Sequence, residues 1–359
     1  MKKLLVNLGN RSYPVLIGPE VLGKSGHILA GLGFASPPIV VSNARVMRLH
    51  GKVLLDSLER VFGRAPVIRI GDGERFKNNS SVERIYRGLF RARADRRSWI
   101  LAFGGGVVGD VAGFAAATYM RGIPYVGVPT TLLAQVDSSI GGKVGINCAD
   151  GKNLIGAFHQ PAAVLSDTGT LRTLPARELA CGLYEAVKCG AIGSASLLRY
   201  LDRHLDDVLR CAPASVSRVV LDAARIKAEV VAHDEREVHA RMILNFGHTV
   251  GHALEAATLY RRFRHGEAVA WGMVAAAQFG GLEGREARRL LGLIHRIGKL
   301  PSLGGISAGQ VWSALQRDKK SASGKIRMVL LQRLGQAAVV DAVDPARLKG
   351  FLTSFLAHP

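Results

Sequence analysis

Three histidines, each with a glycine beside it, form the densest group of reactive side chains in this sequence. His248 and His252 are four residues apart, so a helix there would place them one turn apart on one face. His265 follows after a short arginine-rich segment. A catalytic metal site needs such a density of ligands and keeps one coordination position open. The group therefore predicts a metal site, and the spacing alone leaves open whether His248 or His252 is the ligand.

A glycine-rich turn predicts a nucleotide site in the first half of the chain. Residues 99–103 resemble a buried strand, and Gly104, Gly106 and Gly109 follow as G-x-G-x-x-G before a helix. Such a turn lets backbone approach a pyrophosphate at a helix N-terminus. The acidic ribose ligand expected about 20 residues later is missing, which disfavours a standard Rossmann domain and favours a non-standard, Rossmann-like one. Asn43 and the run Asp72, Gly73, Glu74, at other strand ends, are the alternative ribose ligands.

Two lysines in glycine-rich segments indicate phosphate binding. We expect Lys143 and Lys152 to lie in loops with free backbone donors, a chemistry suited to anions. Because Val144 and Asn153 follow these lysines, neither matches a Walker motif, and a P-loop ATPase is excluded.

The elements around these motifs change character along the chain. Alternating strand and helix patterns predict a mostly parallel sheet in the first half, and long Ala- and Leu-rich helical patterns follow. We predict an α/β nucleotide-binding domain over residues 1–172 and an all-α metal-binding domain over residues 173–359. The expected strands are 4–8, 15–17, 39–41, 67–70, 99–103, 125–128, 327–331 and 337–340; the expected helices include 45–62, 80–94, 176–191, 196–211, 215–229, 249–260 and 268–281.

Composition narrows the function classes. The chain has 359 residues, 48% of them hydrophobic, and a net charge of +20. No apolar run reaches the roughly 18 residues of a membrane helix. Its four cysteines show no C-x-x-C spacing, which favours a reducing cytoplasm. The basic residues are scattered, and the densest run, 91–97, lacks aromatics and is typical of a solvated helix end. We therefore expect a small anionic substrate rather than nucleic acid or membrane.

Long motifs in order identify a family resemblance. Residues 104–110, 117–122, 129–143, 151–156, 173–175, 185–188 and 244–252 resemble the corresponding segments of the 3-dehydroquinate synthase family of sugar-phosphate cyclases. The resemblance implies conversion of 3-deoxy-D-arabino-heptulosonate 7-phosphate to 3-dehydroquinate and phosphate in the shikimate pathway. NAD would oxidise a ring hydroxyl transiently and be restored after phosphate elimination, before an intramolecular aldol closure.

The resemblance also implies the roles of individual residues. Glu185, His248 and His265 would bind Zn²⁺, with Co²⁺ as an alternative. His252 would transfer protons, and Lys188, three residues after Glu185, would point a cation into the same pocket. Tyr184 departs from the family, which usually has a small residue there. The remaining implied catalytic residues are Asp137 and Asn245.

Anion binding and cofactor binding involve larger sets. The implied substrate-binding residues are Lys143, Lys152, Asn153, Lys227, Arg241, Arg121 and Lys320, with Arg121 offered across a homodimer interface. The implied NAD-binding residues are Asn43, Asp72, Gly73, Glu74, Lys77, Gly105, Gly106, Val107, Val108, Gly109, Asp110, Thr130, Thr131, Lys143, Lys152, Thr170, Leu171, Arg172 and Thr173.

Three other functions compete with this interpretation. A sister cyclase would act on sedoheptulose 7-phosphate or glucose 6-phosphate, which lack the carboxylate that Arg241, Lys227, Asn245 and Lys320 suit. A metal-dependent polyol dehydrogenase would release NADH and leave the lysine-rich pocket without use. A basic nucleic-acid-binding protein would show steep salt dependence and no metal requirement.

Overall fold

The chain divides into two compact units in a computed structural model. The structure describes residues 1–149, 151–320 and 326–358, and the side chains of all of these except 318–320. The first unit comprises Met1–Pro175 and Arg210–Arg236, and the second comprises Ala176–Leu209 and Glu237–Pro359. The predicted boundary at 172/173 lies close to the end of the first segment, but residues 210–236 return to the first unit. The division is therefore not a single cut in the sequence.

Regular elements cover most of the described residues. The strands are β1 (Lys2–Val6), β2 (Tyr13–Gly18), β3 (Ile39–Asn43), β4 (Val67–Ile70), β5 (Ile100–Gly104), β6 (Tyr125–Pro129), β7 (Lys143–Cys148), β8 (Gly151–Phe158), β9 (Ala163–Asp167), β10 (Met328–Arg333) and β11 (Gln336–Val340). The helices are α1 (Ser25–Gly31), α2 (Ala44–Phe62), α3 (Asn79–Arg91), α4 (Gly106–Thr118), α5 (Ala176–Gly193), α6 (Ala195–Leu209), α7 (Pro213–His233), α8 (His248–Ala257), α9 (His265–Phe279), α10 (Gly284–Ile297), α11 (Ala308–Lys320) and α12 (Pro345–Ala357). No helix among the described residues is long and apolar enough to cross a membrane.

A mostly parallel sheet forms the centre of the first unit, as predicted. Among the described residues it has seven strands in the order β1-β2-β9-β6-β5-β3-β4, and only the β1–β2 pair is antiparallel. Alternate residues of β5 join two separate cores: Ile100 and Ala102 pack with α3 and α4, whereas Leu101 and Phe103 pack with α1 and α2. The sheet is therefore buried on both faces, which explains its continuous Val and Ile runs.

The segment that carries Lys143 and Lys152 differs from the sequence prediction. Both lysines lie on a hairpin of β7 and β8 rather than in glycine-rich loops. Gly145 and Gly156 pair across it, and a Cβ on either would meet the facing backbone at 2.5 or 2.4 Å. Glycine here permits close strand approach, but it removes the β-branched signal from which a strand is predicted. The buried strand β9 was also missed.

Among its described residues, the second unit is helical apart from β10 and β11, which lie close to the two strands expected there and pair as an antiparallel hairpin. Helix α9 is almost wholly buried. Its crossing with α8 depends on glycines: a Cβ on Gly272 would lie 1.8 Å from the Gly247 carbonyl oxygen, and one on Gly251 would lie 2.8 Å from the Ala268 oxygen. The glycines beside the histidines thus bring two backbones together, and the first residues of α8 and α9 are His248 and His265.

We predict that Gly272→Ala destabilises the protein by about 1–3 kcal/mol, because the new methyl group requires the two helices to separate. Gly292→Ala is the matched control, since Gly292 lies inside α10 with no atom within 4 Å of an added Cβ. There the change should stabilise by about 0.5–1 kcal/mol. Urea unfolding followed by circular dichroism measures both. Equal effects of the two changes would contradict the proposed close packing.

Candidate active site

A carboxylate and two imidazoles meet in the second unit. Glu185, on α5, is fully buried. Its Oε1 lies 3.7 Å from Nε2 of His248 and 3.5 Å from Nε2 of His265. Its Oε2 lies 2.6 Å from Nζ of Lys188, one turn further along the same helix face. Three helices therefore contribute to one cluster of ionisable groups.

The other ring nitrogen of each imidazole is held by a second contact. Nδ1 of His248 lies 3.2 Å from the carbonyl oxygen of Phe246, and Nδ1 of His265 lies 3.2 Å from Oε2 of Glu255. Each contact favours the tautomer with its proton on Nδ1, which leaves Nε2 directed at Glu185. Both rings are thus oriented as metal ligands are.

Helix capping fixes where His265 stands. Glu267 accepts a hydrogen bond from the Arg264 backbone N–H at 2.8 Å. The same carboxylate receives two hydrogen bonds from the Arg177 guanidinium, at 2.6 and 2.8 Å. Because Glu267 is buried, this doubly bonded carboxylate anchors the first turn of α9 to the start of α5.

The two imidazoles have opposite pKa shifts. Burial, reinforced by the Lys188 ammonium, lowers the pKa of His248 well below its usual value, so this ring is neutral at pH 7. Burial also disfavours the charged form of His265, but hydrogen bonds to Glu185 and Glu255 outweigh it and raise the pKa to about 10. A cation binding at the Nε2 atoms would displace the proton of His265.

His252 lies beside this pair but is more exposed. Its ring centroid is 5.2 Å from that of His248 and 5.8 Å from that of His265. The three imidazoles offer nitrogen atoms within 4.8 Å of one another. The structure therefore brings together all three histidines singled out in the sequence, with the most accessible one at the edge of the cluster.

The donor set fits a divalent metal ion. Ligand atoms at about 2.0–2.2 Å from a tetrahedral zinc ion lie roughly 3.3–3.6 Å from one another. The separations of 3.5 and 3.7 Å from the Glu185 oxygen to the two Nε2 atoms are close to this range.

Tyr184, the departure from the family, is also buried, and its hydroxyl donates to the Gly298 carbonyl oxygen at 3.2 Å. A tyrosine at this position therefore leaves all three candidate metal ligands in place.

In the first unit, Asp137 and Lys227 form an ion pair at 2.6 Å. Asp137 lies in a single π-helical turn, residues Ala134–Ser138, and Lys227 lies on α7. π-Helical turns occur frequently at functional sites because they re-aim one side chain. Sequence reasoning assigned Lys227 to the C-terminal domain, whereas the structure packs it with the first unit.

A polar network joins residues predicted to bind NAD and substrate. The Lys77 ammonium pairs with Asp110 Oδ2 at 2.5 Å and also contacts the Asn153 side chain. Asn147 completes the network, because it donates to Glu74 Oε1 at 2.7 Å and accepts from the Asn153 backbone N–H at 2.9 Å. Burial raises the pKa of Asp110, against the opposing effect of Lys77. The loop 72–77, the start of α4 and the β7–β8 hairpin are thus tied together.

The carboxyl ends of the strands carry the remaining predicted cofactor residues. Asn43, ending β3, donates to Asp72 Oδ1 at 3.2 Å, and its own Oδ1 caps α2. Gly105 approaches Thr131 so closely that a Cβ would lie 2.9 Å from its methyl carbon. The first turn of α4 contains Gly106, Val107, Val108, Gly109 and Asp110, and Gly73 precedes a short 3₁₀ turn. Thr130 follows β6, and β9 is followed by Thr170, Leu171, Arg172 and Thr173.

The other predicted substrate residues are divided between the units. Arg241 and Asn245 belong to the second, where Arg241 is buried. Arg121, in the first, is exposed. Lys320 ends α11, and its side chain lies outside the described residues.

Two carboxylates were missed by sequence reasoning. Glu255 contacts His265, and Glu237 accepts a hydrogen bond from Asn245 at 3.1 Å. Glu255 carried a usable signal, since it follows His248 by seven residues and therefore lies near its helix face. Glu237 carried none, because it belongs to an irregular segment of mixed charge.

Solved structures share this fold closely. The chain matches 2-epi-5-epi-valiolone synthase from Streptomyces hygroscopicus, solved with NAD⁺ and Zn²⁺ bound, with a TM-score of 0.88, 28% identity and coverage of 98% of this chain and 99% of that one. It matches 2-deoxy-scyllo-inosose synthase, solved with carbaglucose-6-phosphate, NAD⁺ and Co²⁺, with a TM-score of 0.86, 26% identity and coverage of 98% and 100%. The fold is thus that of the sugar-phosphate cyclase class.

Sequence relatives resolve the family within this class. Residues 67–181 match the 3-dehydroquinate synthase N-terminal family model, and residues 182–321 match the C-terminal one. The chain belongs to the 3-dehydroquinate synthase family. A 3-dehydroquinate synthase from Pelotomaculum thermopropionicum is 45% identical over 99% of this chain and 96% of that relative. One from Halorhodospira halophila is 44% identical over 97% and 98%.

Proposed function

We propose that this chain converts 3-deoxy-D-arabino-heptulosonate 7-phosphate to 3-dehydroquinate and phosphate, as an NAD- and metal-dependent carbon–oxygen lyase. The observation that carries the proposal is the buried Glu185 carboxylate facing Nε2 of both His248 and His265. This cluster occurs in a chain 45% and 44% identical to two proteins named 3-dehydroquinate synthase.

We assign Glu185, His248 and His265 as ligands of Zn²⁺, with Co²⁺ as an alternative. The oriented Nε2 atoms support this set over one that includes His252, which lies further out. Structures of the same fold contain Zn²⁺ or Co²⁺ together with NAD⁺. NAD would be held by the strand-end residues and the glycine turn of the first unit, where backbone donors at the start of α4 suit its pyrophosphate.

A bound Zn²⁺ or Co²⁺ ion would supply Lewis acidity toward substrate oxygens, and bound NAD would supply a reversible hydride acceptor. The chain's own residues supply binding and proton movement. His252, at the accessible edge of the cluster, would exchange a proton with substrate through its imidazole. Lys188 adds a positive charge beside Glu185, and Asp137, oriented by Lys227, would accept hydrogen bonds from substrate hydroxyls.

Anion binding favours the carboxylated substrate. We assign phosphate and carboxylate binding to Lys143, Lys152, Asn153, Lys227, Arg241 and Asn245. Glucose 6-phosphate and sedoheptulose 7-phosphate, the substrates of sister cyclases, would leave the carboxylate-binding groups unpaired. The identities to two sister cyclases, 28% and 26%, are also lower than those to the synthases.

We further propose a homodimer formed through the first unit. Phe90, Met120, Leu154 and Ile155 are 67, 42, 65 and 44% exposed, an apolar group of the kind that marks protein interfaces. Phe90 packs against Tyr119, next to Met120, and Ile155 lines a cavity of about 610 Å³. Arg121 follows Met120, and both adopt positive φ angles of 69° and 50°. Such strain is typical of functional positions.

A cytoplasmic location is consistent with the chain's thiols. All four cysteines are free rather than paired in disulfides, as a reducing compartment requires. Fractionation of the source cells checks this.

The net charge of +20 would serve a small polyanionic substrate, and salt-insensitive activity would distinguish this from nucleic-acid binding.

We expect purified protein with NAD and Zn²⁺ to release phosphate from 3-deoxy-D-arabino-heptulosonate 7-phosphate without net NADH, because the redox step is reversed before product leaves. Sedoheptulose 7-phosphate serves as the control substrate in parallel phosphate and absorbance assays. Phosphate release from the control alone would identify a sister cyclase. NADH accumulation without phosphate would identify a dehydrogenase.

We expect His248→Ala to lose bound metal and activity together, whereas His252→Ala keeps the metal and loses roughly 10²–10⁴ in rate, as general acid–base residues do. Metal content by atomic absorption and phosphate release measure the two effects. Full metal retention in His248→Ala would remove it from the ligand set, and a metal-free His252→Ala would exchange the two roles.

We expect inactive Arg121→Ala to be partly rescued by inactive His252→Ala if Arg121 acts across the dimer. In a mixed dimer, one site then has both residues intact, so random reassortment restores about a quarter of wild-type activity. Phosphate release after co-refolding measures this. A mixture with verified heterodimers but no recovered activity would place Arg121 in its own chain's site.

A further inference from the structure

A buried carboxylate stands behind one ligand of the proposed metal centre. Glu255 is 4% exposed, and its Oε2 lies 3.2 Å from Nδ1 of His265. The opposite nitrogen of that ring, Nε2, lies 3.5 Å from Glu185. The three groups thus form a line from carboxylate through imidazole to the ligand oxygen.

The two ligand imidazoles differ in this respect. Nδ1 of His248 faces a neutral backbone carbonyl, that of Phe246, also at 3.2 Å. A carboxylate draws the Nδ1 proton more strongly than a carbonyl does, and it increases the basicity of the opposite nitrogen. The structure therefore makes His265 the more strongly donating ligand of the pair.

Glu255 occupies an unfavourable place for a negative charge. It lies in the last turn of α8, where the helix dipole destabilises anions, and its burial removes the compensation of water. Its backbone is nevertheless fixed there, because its carbonyl oxygen accepts hydrogen bonds from the Tyr260 N–H at 2.7 Å and the Thr258 hydroxyl at 3.2 Å. A charged side chain held against this cost indicates a role at the imidazole it contacts.

We propose that Glu255 is a positioning residue for the metal centre. It holds the His265 ring in the tautomer with Nε2 unprotonated and strengthens that nitrogen as a ligand. The inference rests on the metal site proposed above, and it concerns a residue outside the ligand set.

The test compares Glu255→Gln with Glu178→Gln in the full-length protein. The first change keeps an acceptor for Nδ1 but removes the charge. The second removes the charge of a half-exposed carboxylate on α5 that lies 3.3 Å from Arg264, next to His265. Zn²⁺ affinity is measured by competition with a chelator, and the visible absorption of the Co²⁺ form reports the ligand field. Circular dichroism confirms folding.

We expect Glu255→Gln to weaken Zn²⁺ binding by about 10–100-fold and to alter the Co²⁺ spectrum, and Glu178→Gln to change affinity by less than about twofold. Should Glu255→Gln fail to fold, Glu255→Asp replaces it, since its carboxylate is withdrawn by one methylene and loses the contact with Nδ1. Wild-type affinity and spectrum in a folded Glu255 variant overturn the inference. If the wild-type protein itself binds no Zn²⁺, the proposed metal site fails instead.

Discussion

The burial of the Glu185 carboxylate is the constraint on which the second unit depends. An ionised carboxylate removed from water is costly unless cations or hydrogen-bond donors surround it. Lys188, at 2.6 Å, and the protonated His265 imidazole, at 3.5 Å, do so here, and the neutral His248 ring lies beside them at 3.7 Å. Four ionisable groups cannot be satisfied in one place by chance packing. The elements that carry them must approach more closely than ordinary helices, and a divalent cation would complete the compensation.

Glycine and helix capping meet that requirement together. Gly247, Gly251 and Gly272 let the backbones of α8 and α9 touch where larger residues would hold them apart. Because α8 starts at His248 and α9 at His265, the positions of both imidazoles depend on where each helix begins. The Arg177–Glu267 pair fixes one of these starts. Ring orientation then depends on the Nδ1 partners, a backbone carbonyl and a carboxylate. Packing, capping and the geometry of the imidazoles are therefore consequences of the same local arrangement.

In the first unit, the parallel sheet determines which residues lie close together. In a parallel sheet, the carboxyl ends of the strands lie along one edge, and ligands bind there. Asn43, Gly104 and Pro129 end β3, β5 and β6, so the polar loops after them are neighbours irrespective of their distance in sequence. The contacts of Lys77 with Asp110 and Asn153 tie these loops to the β7–β8 hairpin. Lys77, after β4, and Lys152, on the hairpin, are basic groups of the kind that bind phosphates.

Local patterns in the sequence determined the class of fold and the reactive groups. Val and Ile runs alternating with helical patterns specified the parallel sheet, and the spacing of His248, His252 and His265 pointed to a metal site. Only the tertiary structure decided that residues 210–236 return to the first unit, that Lys143 and Lys152 lie on paired strands, and that Glu255 contacts His265. The physical reason is that these features depend on contacts between distant residues. Gly145 and Gly156 have no side chain that could mark these positions as a strand, and a buried carboxylate has the same letter as an exposed one.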